Sequence, residues 1–232
     1  MGFNWRKFLV SFTLVSQGNP MLRHLNMLRS IDFYSQDDIQ LLQDEKLRAL
    51  LLHAYTNVKY YRTLFDNHDI IQNNEVDLVS FKRLPLLNKD IILSQGTNLY
   101  SNDHHNRHSF KNSSGGSTGK PVIIMQDKSY LDANLAGRFW YNEWGGKFIG
   151  EPEIKFWGSE RDALVGKDNI KTRLNRWLFN TNLLNTYCMS DKDLFSYVTQ
   201  WNQIKPTLVW AYTDSIYKFS QFLEKHQIKL FK

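Results

Sequence analysis

The sequence predicts an α/β fold in which a helical N-terminal region, residues 1–105, precedes the first part of a layered, mainly parallel sheet with helices, residues 106–232. Two patterns predict it. In the N-terminal region apolar residues recur at helical spacing, whereas beyond it short β-branched or aromatic runs alternate with helical stretches and end in turns. With 42% hydrophobic and 14% aromatic residues, the chain has ample material to bury a core.

Trp5, Phe8, Leu9, Phe12 and Val15 fall at helical spacing, so the chain opens with an amphipathic helix whose apolar stripe is expected to pack on the domain. Contact with a membrane surface is the alternative. Arg6 and Lys7 before an apolar run imitate a secretion signal, but no small-x-small cleavage site follows before Gly18-Asn19-Pro20. Myristoylation at Gly2 fails because Arg6 stands where Ser or Thr is required. Ser35-Gln36-Asp37-Asp38 has the form of a capping box and opens a helical stretch. A longer helix is expected from about Gln43 to Phe65, with Leu47, Leu50, Leu51, Ala54, Val58 and Tyr61 on one face. Residues 66–80 are polar and read as a loop, and Asn88 caps a short helix carrying Ile91, Ile92 and Leu93. His104, His105 and His108 lack the Glu of a helical His-Glu-x-x-His site and read as an exposed loop, so no metal site is assigned.

Residues 110–121, Phe-Lys-Asn-Ser-Ser-Gly-Gly-Ser-Thr-Gly-Lys-Pro, concentrate groups able to hold a polyphosphate. Gly115, Gly116 and Gly119 let successive backbone N–H groups converge on one anion. Ser113, Ser114, Ser117 and Thr118 add hydroxyl donors, and Lys120 adds a mobile positive charge. The phosphate loop of the classical NTPases needs Gly-x-x-x-x-Gly-Lys-Ser/Thr before a helix. Here Ser114 stands at the first glycine and Pro121 at the magnesium-binding hydroxyl, and Val122-Ile123-Ile124-Met125 reads as a strand. The stretch is therefore expected to be a phosphate loop inside a β-hairpin.

Asp127 or Ser129 starts a helix that runs to Trp144 and stops at Gly145-Gly146. Residues 153–157 read as a strand ending in Gly158-Ser159, and ligands collect beyond the C-termini of strands in open α/β sheets, so Trp157, Gly158 and Ser159 are candidate walls of a substrate pocket. A second capping box at Ser190 opens a helix that ends before Pro206. Thr207–Ala211 is the next strand, followed by a turn at Tyr212 and a helix through Ile216, Phe219, Phe222 and Leu223, with Tyr212 and Ser215 on the ligand side.

Ser113 to Pro121 resembles the phosphate-binding signature of the adenylate-forming superfamily of acyl-CoA synthetases. Tyr60-Tyr61-Arg62, Leu84-Pro85-Leu86-Leu87-Asn88-Lys89-Asp90 and Phe156-Trp157-Gly158-Ser159 are similar to the phenylacetate–CoA ligase branch, and within it to CapK-type proteins of capsular polysaccharide biosynthesis. The resemblance runs from about residue 35 to the end. It implies a ligase that uses ATP with magnesium, and CoA or another acceptor, to activate a carboxylic acid. Lys120 and Thr118 would orient the phosphates, with the rest of Ser113 to Lys120 binding the nucleotide, and Trp157, Gly158, Ser159 and Tyr212 would face the substrate. The family's adenine, ribose and acyl-phosphate groups lie beyond the point matching Lys232, and residues 228–232 fall where a further strand should begin, so the chain is expected to be an N-terminal portion. A complementing C-terminal segment or self-association is the implied partner. The alternative is a truncated, non-catalytic fragment or interaction module that keeps the fold.

Composition narrows the remaining classes. The charge of +6, from 29 basic and 23 acidic residues, is spread along the chain, with a local cluster at Lys167, Lys171, Arg173 and Arg176 that reads as a solvated helix face. The aromatics form no recognisable stacking module for nucleic acid. A single Cys188 excludes an intrachain disulfide and fits a cytoplasmic protein, and no run is long and apolar enough to span a bilayer.

Overall fold

Capping side chains set several element boundaries. Asn4, Ser35, Asp77, Asn88 and Ser190 each accept a hydrogen bond from a backbone N–H two or three residues further on, and each starts a helix. The computed structural model describes residues 4–114, 119–158, 170–187 and 189–231. In order these form α1 (Trp5–Ser16), α2 (Met21–Ile31), α3 (Gln36–Asn57), α4 (Lys59–Asn67), β1 (Ile71–Gln72), β2 (Glu75–Val76), α5 (Leu78–Phe81) and α6 (Lys89–Gln95). Two 3-10 turns (Gly96–Leu99 and His104–Arg107), β3 (Phe110–Ser113), β4 (Ile123–Gln126) and α7 (Lys128–Trp144) come next. The chain continues through β5 (Glu153–Phe156), α8 (Ile170–Phe179), β6 (Thr181–Leu184), α9 (Asp191–Ile204), β7 (Leu208–Ala211) and α10 (Thr213–Lys225). Chain contacts gather into two compact units, Asn26–Leu135 and Met1–Leu25 with Ala136–Lys232.

In the unit Asn26–Leu135, Leu51, Phe65, Ile70 and Val76 form the core. The single helix expected over residues 43–65 is two. The capping box at Ser35 already opens α3, and at Val58 the backbone is extended (φ −120°, ψ 112°) before α4 begins. Side chains make the break tolerable: Arg62 donates to the carbonyls of Tyr55 and Thr56, Asn57 donates to the carbonyl of His53, and Val58 itself is buried. The stretch 66–80, expected to be a loop, contains a small hairpin and α5. Ile71 pairs with Val76 around Asn73 and Asn74, whose positive φ values of 47° and 65° suit a two-residue primed turn that asparagine accepts. Strands β3 and β4 are antiparallel, from Phe110 opposite Gln126 to Ser113 opposite Ile123.

The other unit is built on a parallel sheet in the order β6-β5-β7. Ile154 and Phe156 of β5 and Leu184 of β6 pack with Leu194 and Tyr197 of α9 and Phe219 and Phe222 of α10. The i, i+3 spacing on both helices presents two adjacent side chains to the sheet, each worth roughly 1.5–3 kcal/mol when fully buried. Strand β6 had no sequence signal, because Thr181-Asn182-Leu183-Leu184 has one β-branched residue and no alternation. Residues 228–231, expected to begin a further strand, are not in one. Ile228 and Leu230 pack on the core, the Phe231 N–H donates to Asn202, and the Trp201 indole donates to the Phe231 carbonyl.

Helix α1 presents the opposite side from the one expected. Val10 and Leu14 are buried, whereas Trp5, Phe8, Phe12 and Val15 are exposed. The helix is apolar on both sides, so periodicity alone draws two stripes and tertiary packing selects one. Of the basic cluster, Lys171, Arg173 and Arg176 lie on α8, and Lys167 and Cys188 lie outside the described residues. No described helix is long and apolar enough to cross a membrane.

Candidate functional site

Strands β3 and β4 flank the Gly/Ser stretch. One step beyond their last pair, the Ser114 N–H donates to the Val122 carbonyl and the Val122 N–H donates to the Ser114 hydroxyl, both at 3.0 Å. That hydroxyl keeps its own proton for a further acceptor. The Ser113 hydroxyl donates to the Ser114 carbonyl at 3.1 Å. Gly119 sits at φ 121°, a conformation that strains any L side chain although the space around it is open. Lys120 is exposed and has no ion pair among the described residues. No helix starts at Gly119; Pro121 and Val122 lead directly into β4. Gly115, Gly116, Ser117 and Thr118 lie outside the described residues.

Pro121 and residues of β4 also line a cavity of about 720 Å³, completed by His53 and Val58, by Leu93 of α6, and by Tyr100 and Arg107. At its polar end Arg107 reaches two carboxylates, Asp103 with Nε–Oδ2 at 2.7 Å and Asp127 at 3.6 Å. The Ser101 hydroxyl, donating to Asp103, is the main cause that holds this carboxyl below the usual range. The cost of burial acts against it, and the Arg107 guanidinium reinforces it. Ser101 also lies 3.3 Å from His53 Nε2, but its proton goes to Asp103, so this Ser, His and Asp form no nucleophile–base relay. His104, expected in an exposed loop, is half-buried in a 3-10 turn, with Nδ1 2.7 Å from the Ser101 carbonyl.

At the C-terminal edge of the parallel sheet, two of the sequence candidates meet. Phe156 lies opposite Ala211 in the β5–β7 register, so Trp157 and Tyr212 leave adjacent strands side by side. Their rings stack with centroids 4.2 Å apart and planes 23° apart, and each side chain remains about half exposed. Tyr212 caps α10 through its carbonyl, which accepts from the Ser215 and Ile216 N–H groups, leaving the ring free to stack. Gly158 is crowded: a Cβ there would stand 2.2 Å from Asn185 Oδ1, so that side chain would have to move, and 3.0 Å from the Thr186 nitrogen. The result is a flat aromatic platform at the sheet edge, able to take a planar or apolar group. Ser159 lies outside the described residues.

Sequence reasoning missed a buried ion pair at the opposite end of β5. Lys147 Nζ is 2.7 Å from Glu153 Oε2, with both side chains at most 5% exposed. Thr181 of β6 donates to Glu153 Oε1 at 2.8 Å, and Lys155 Nζ lies 3.4 Å from the same oxygen. Burial alone would raise the Glu153 carboxyl, but the hydrogen bond and charge of Lys147, then Thr181 and Lys155, bring it below the usual range. The pair ties the segment after α7 to β5 and β6, a structural role. In sequence it looks like two ordinary surface charges.

No family model matches the chain. In sequence it is similar to protein CapK of Staphylococcus aureus, 19% identical over 194 residues that cover 84% of this chain and 42% of that protein. It is also similar to phenylacetate-coenzyme A ligase of Escherichia coli K12, 27% identical over 122 residues, 48% of this chain and 26% of that one. Its fold is similar to an open conformation of 2-hydroxyisobutyryl-CoA ligase crystallised with 2-HIB-AMP and CoA. The TM-score is 0.50 at 12% identity, covering 79% of this chain and 43% of that one. The chain spans less than half the length of these relatives.

Proposed function

We propose that this chain, which belongs to the adenylate-forming superfamily, contributes the N-terminal part of an ATP-dependent ligase. A carboxylic acid and ATP give an acyl-adenylate and pyrophosphate, and the acyl group then passes to coenzyme A or another acceptor. A role in capsular or exopolysaccharide assembly is part of this reading, and the similarity to protein CapK supports it. The observation that carries the reading is the lysine-ended Gly/Ser stretch between two antiparallel strands, in a chain alike in sequence to phenylacetate-coenzyme A ligase.

In the adenylation step a carboxylate oxygen attacks the α-phosphorus and the bond to the bridging oxygen of the β-phosphate breaks, so negative charge gathers on the departing pyrophosphate. Lys120, with its amine in solvent, supplies a positive charge there, and Ser117 and Thr118 add hydroxyl donors. Gly119 at positive φ lets the backbone approach the phosphates without a side chain in the way. The Trp157–Tyr212 platform, next to Gly158, is assigned to the acyl group of the substrate, whose apolar or planar part would lie on the exposed rings. Magnesium accompanies the ATP, and no residue of this chain is assigned to it. The alternative is a non-catalytic module that keeps phosphate affinity without turnover.

Calorimetry of MgATP binding tests the reading. Lys120→Ala removes a charge-assisted contact worth about 1.5–3 kcal/mol, an affinity loss of about 10- to 150-fold. Gly119→Ala strains the backbone and should weaken binding as well. Binding unaffected by either substitution, or no binding by the unaltered chain, overturns the assignment of this stretch. Pyrophosphate exchange with candidate acids then separates ligase from module.

A further inference from the structure

Helices α1 and α8 both carry apolar residues on the side that faces solvent. On α1, Trp5, Phe8, Phe12 and Val15 are 43%, 63%, 64% and 68% exposed. At 100° per residue they fall within an arc of about 80°, opposite the buried Val10 and Leu14. On α8, Ile170, Leu174 and Trp177 are 84%, 58% and 52% exposed and share an arc of about 60°, with Lys171 on one side and Arg173 on the other. The stripes join where the two helices touch. The Trp5 and Trp177 ring centroids are 5.7 Å apart, and the Arg6 guanidinium lies 4.7 Å from one ring and 5.2 Å from the other while donating to the Trp177 carbonyl. Neither helix contains an acidic residue, whereas together they carry Arg6, Lys7, Lys171, Arg173 and Arg176.

We propose that α1 and α8 form one surface that docks on a membrane leaflet bearing anionic lipids. Tryptophan rings suit the headgroup level, and Lys or Arg at the margins extend toward lipid phosphates while their stems cover apolar surface. The basic residues that these two helices carry, with no acidic residue of their own, are what select an anionic leaflet as the occupant. A wholly apolar stripe without them would serve a protein partner equally well. At 1.5 Å per residue the 12 residues of α1 and 10 of α8 extend about 18 and 15 Å, against about 30 Å for the hydrocarbon core, so they lie on the leaflet without crossing it.

Flotation of the full chain with phosphatidylglycerol/phosphatidylcholine vesicles, against phosphatidylcholine alone, tests the proposal. The chain should float with the anionic vesicles and be released by high salt, since each basic residue near such a surface contributes roughly fivefold. Phe8→Ser/Phe12→Ser should weaken binding at least tenfold. Lys7→Glu/Lys171→Glu/Arg173→Glu should do the same while leaving the apolar stripe intact. All five side chains are exposed, so far-UV circular dichroism should stay unchanged in both variants, and MgATP binding is a separate readout that neither should alter. Failure to float with anionic vesicles, equal binding to both vesicle types, or binding undiminished in both variants overturns the proposal. So does a lipid-free chain that dimerises through Phe8 and Phe12, which would make the surface a protein interface.

Discussion

Removing Lys147 and removing Glu153 should not cost the same, although they are partners in one ion pair. When Lys147 becomes Met, Glu153 keeps the Thr181 hydroxyl at 2.8 Å and Lys155 Nζ at 3.4 Å. The carboxylate remains compensated, and the loss should be about 1–3 kcal/mol. When Glu153 becomes Leu, Lys147 is left with 1% of its side chain exposed and, among the described residues, no carboxylate partner; the Phe139 ring lies 5.8 Å away. Breaking a buried pair in this way costs about 3–5 kcal/mol. The double variant Lys147→Met/Glu153→Leu removes both buried charges and leaves Lys155, which is 24% exposed, able to reach water. It should therefore be more stable than Glu153→Leu alone, by about 2 kcal/mol. Urea unfolding followed by far-UV circular dichroism, with the slope unchanged, measures the differences. In thermal melts each kcal/mol corresponds to about 2–4 °C for a chain of this size. A Lys147→Met variant as damaged as Glu153→Leu, or a double variant whose loss is the sum of the two, would refute the asymmetry.

Two further outcomes follow from the same contacts. Gly158→Ala places a methyl 2.2 Å from Asn185 Oδ1, so Asn185 must swing away and release the Tyr187 N–H that it holds at 3.0 Å. The cost should be about 1–3 kcal/mol, and an unchanged urea midpoint would mean that these loops have room to give. Acid should also destabilise the fold: the Glu153 and Asp103 carboxyls lie below their usual range, so the stability they contribute is complete above their unfolded values of about 4 and is lost as pH falls through the lower folded values. The urea midpoint should hold from pH 7 to 5 and drop below pH 4, less steeply in Lys147→Met/Glu153→Leu; a midpoint that rises in acid contradicts the sign.

Local rules carried much of the fold into the sequence. The caps at Ser35, Asn88 and Ser190 were legible because each is a hydrogen bond over three residues, set by the side chain and the backbone beside it. The strands after residues 122, 152 and 206 were legible for a similar reason, through β-branched and aromatic runs bounded by turns. Asn73 and Asn74 carry a usable turn signal, but the polar residues around them hide the short strands on either side.

What the sequence by itself determined is the local conformation of α3, α6, α9, β4, β5 and β7 and the chemical character of the Gly/Ser stretch, because both follow from neighbouring residues. Tertiary structure alone decided the rest. The Trp157–Tyr212 stack depends on β5 pairing in parallel with β7 at the register that sets Phe156 opposite Ala211. Strand β6 exists because β5 offers its other edge to four residues with little strand preference of their own. Which side of α1 is buried depends on what covers Val10 and Leu14, and the Lys147–Glu153 pair is an interior contact only because the core closes around it. These are long-range choices among locally equivalent options, and only the packed chain distinguishes them.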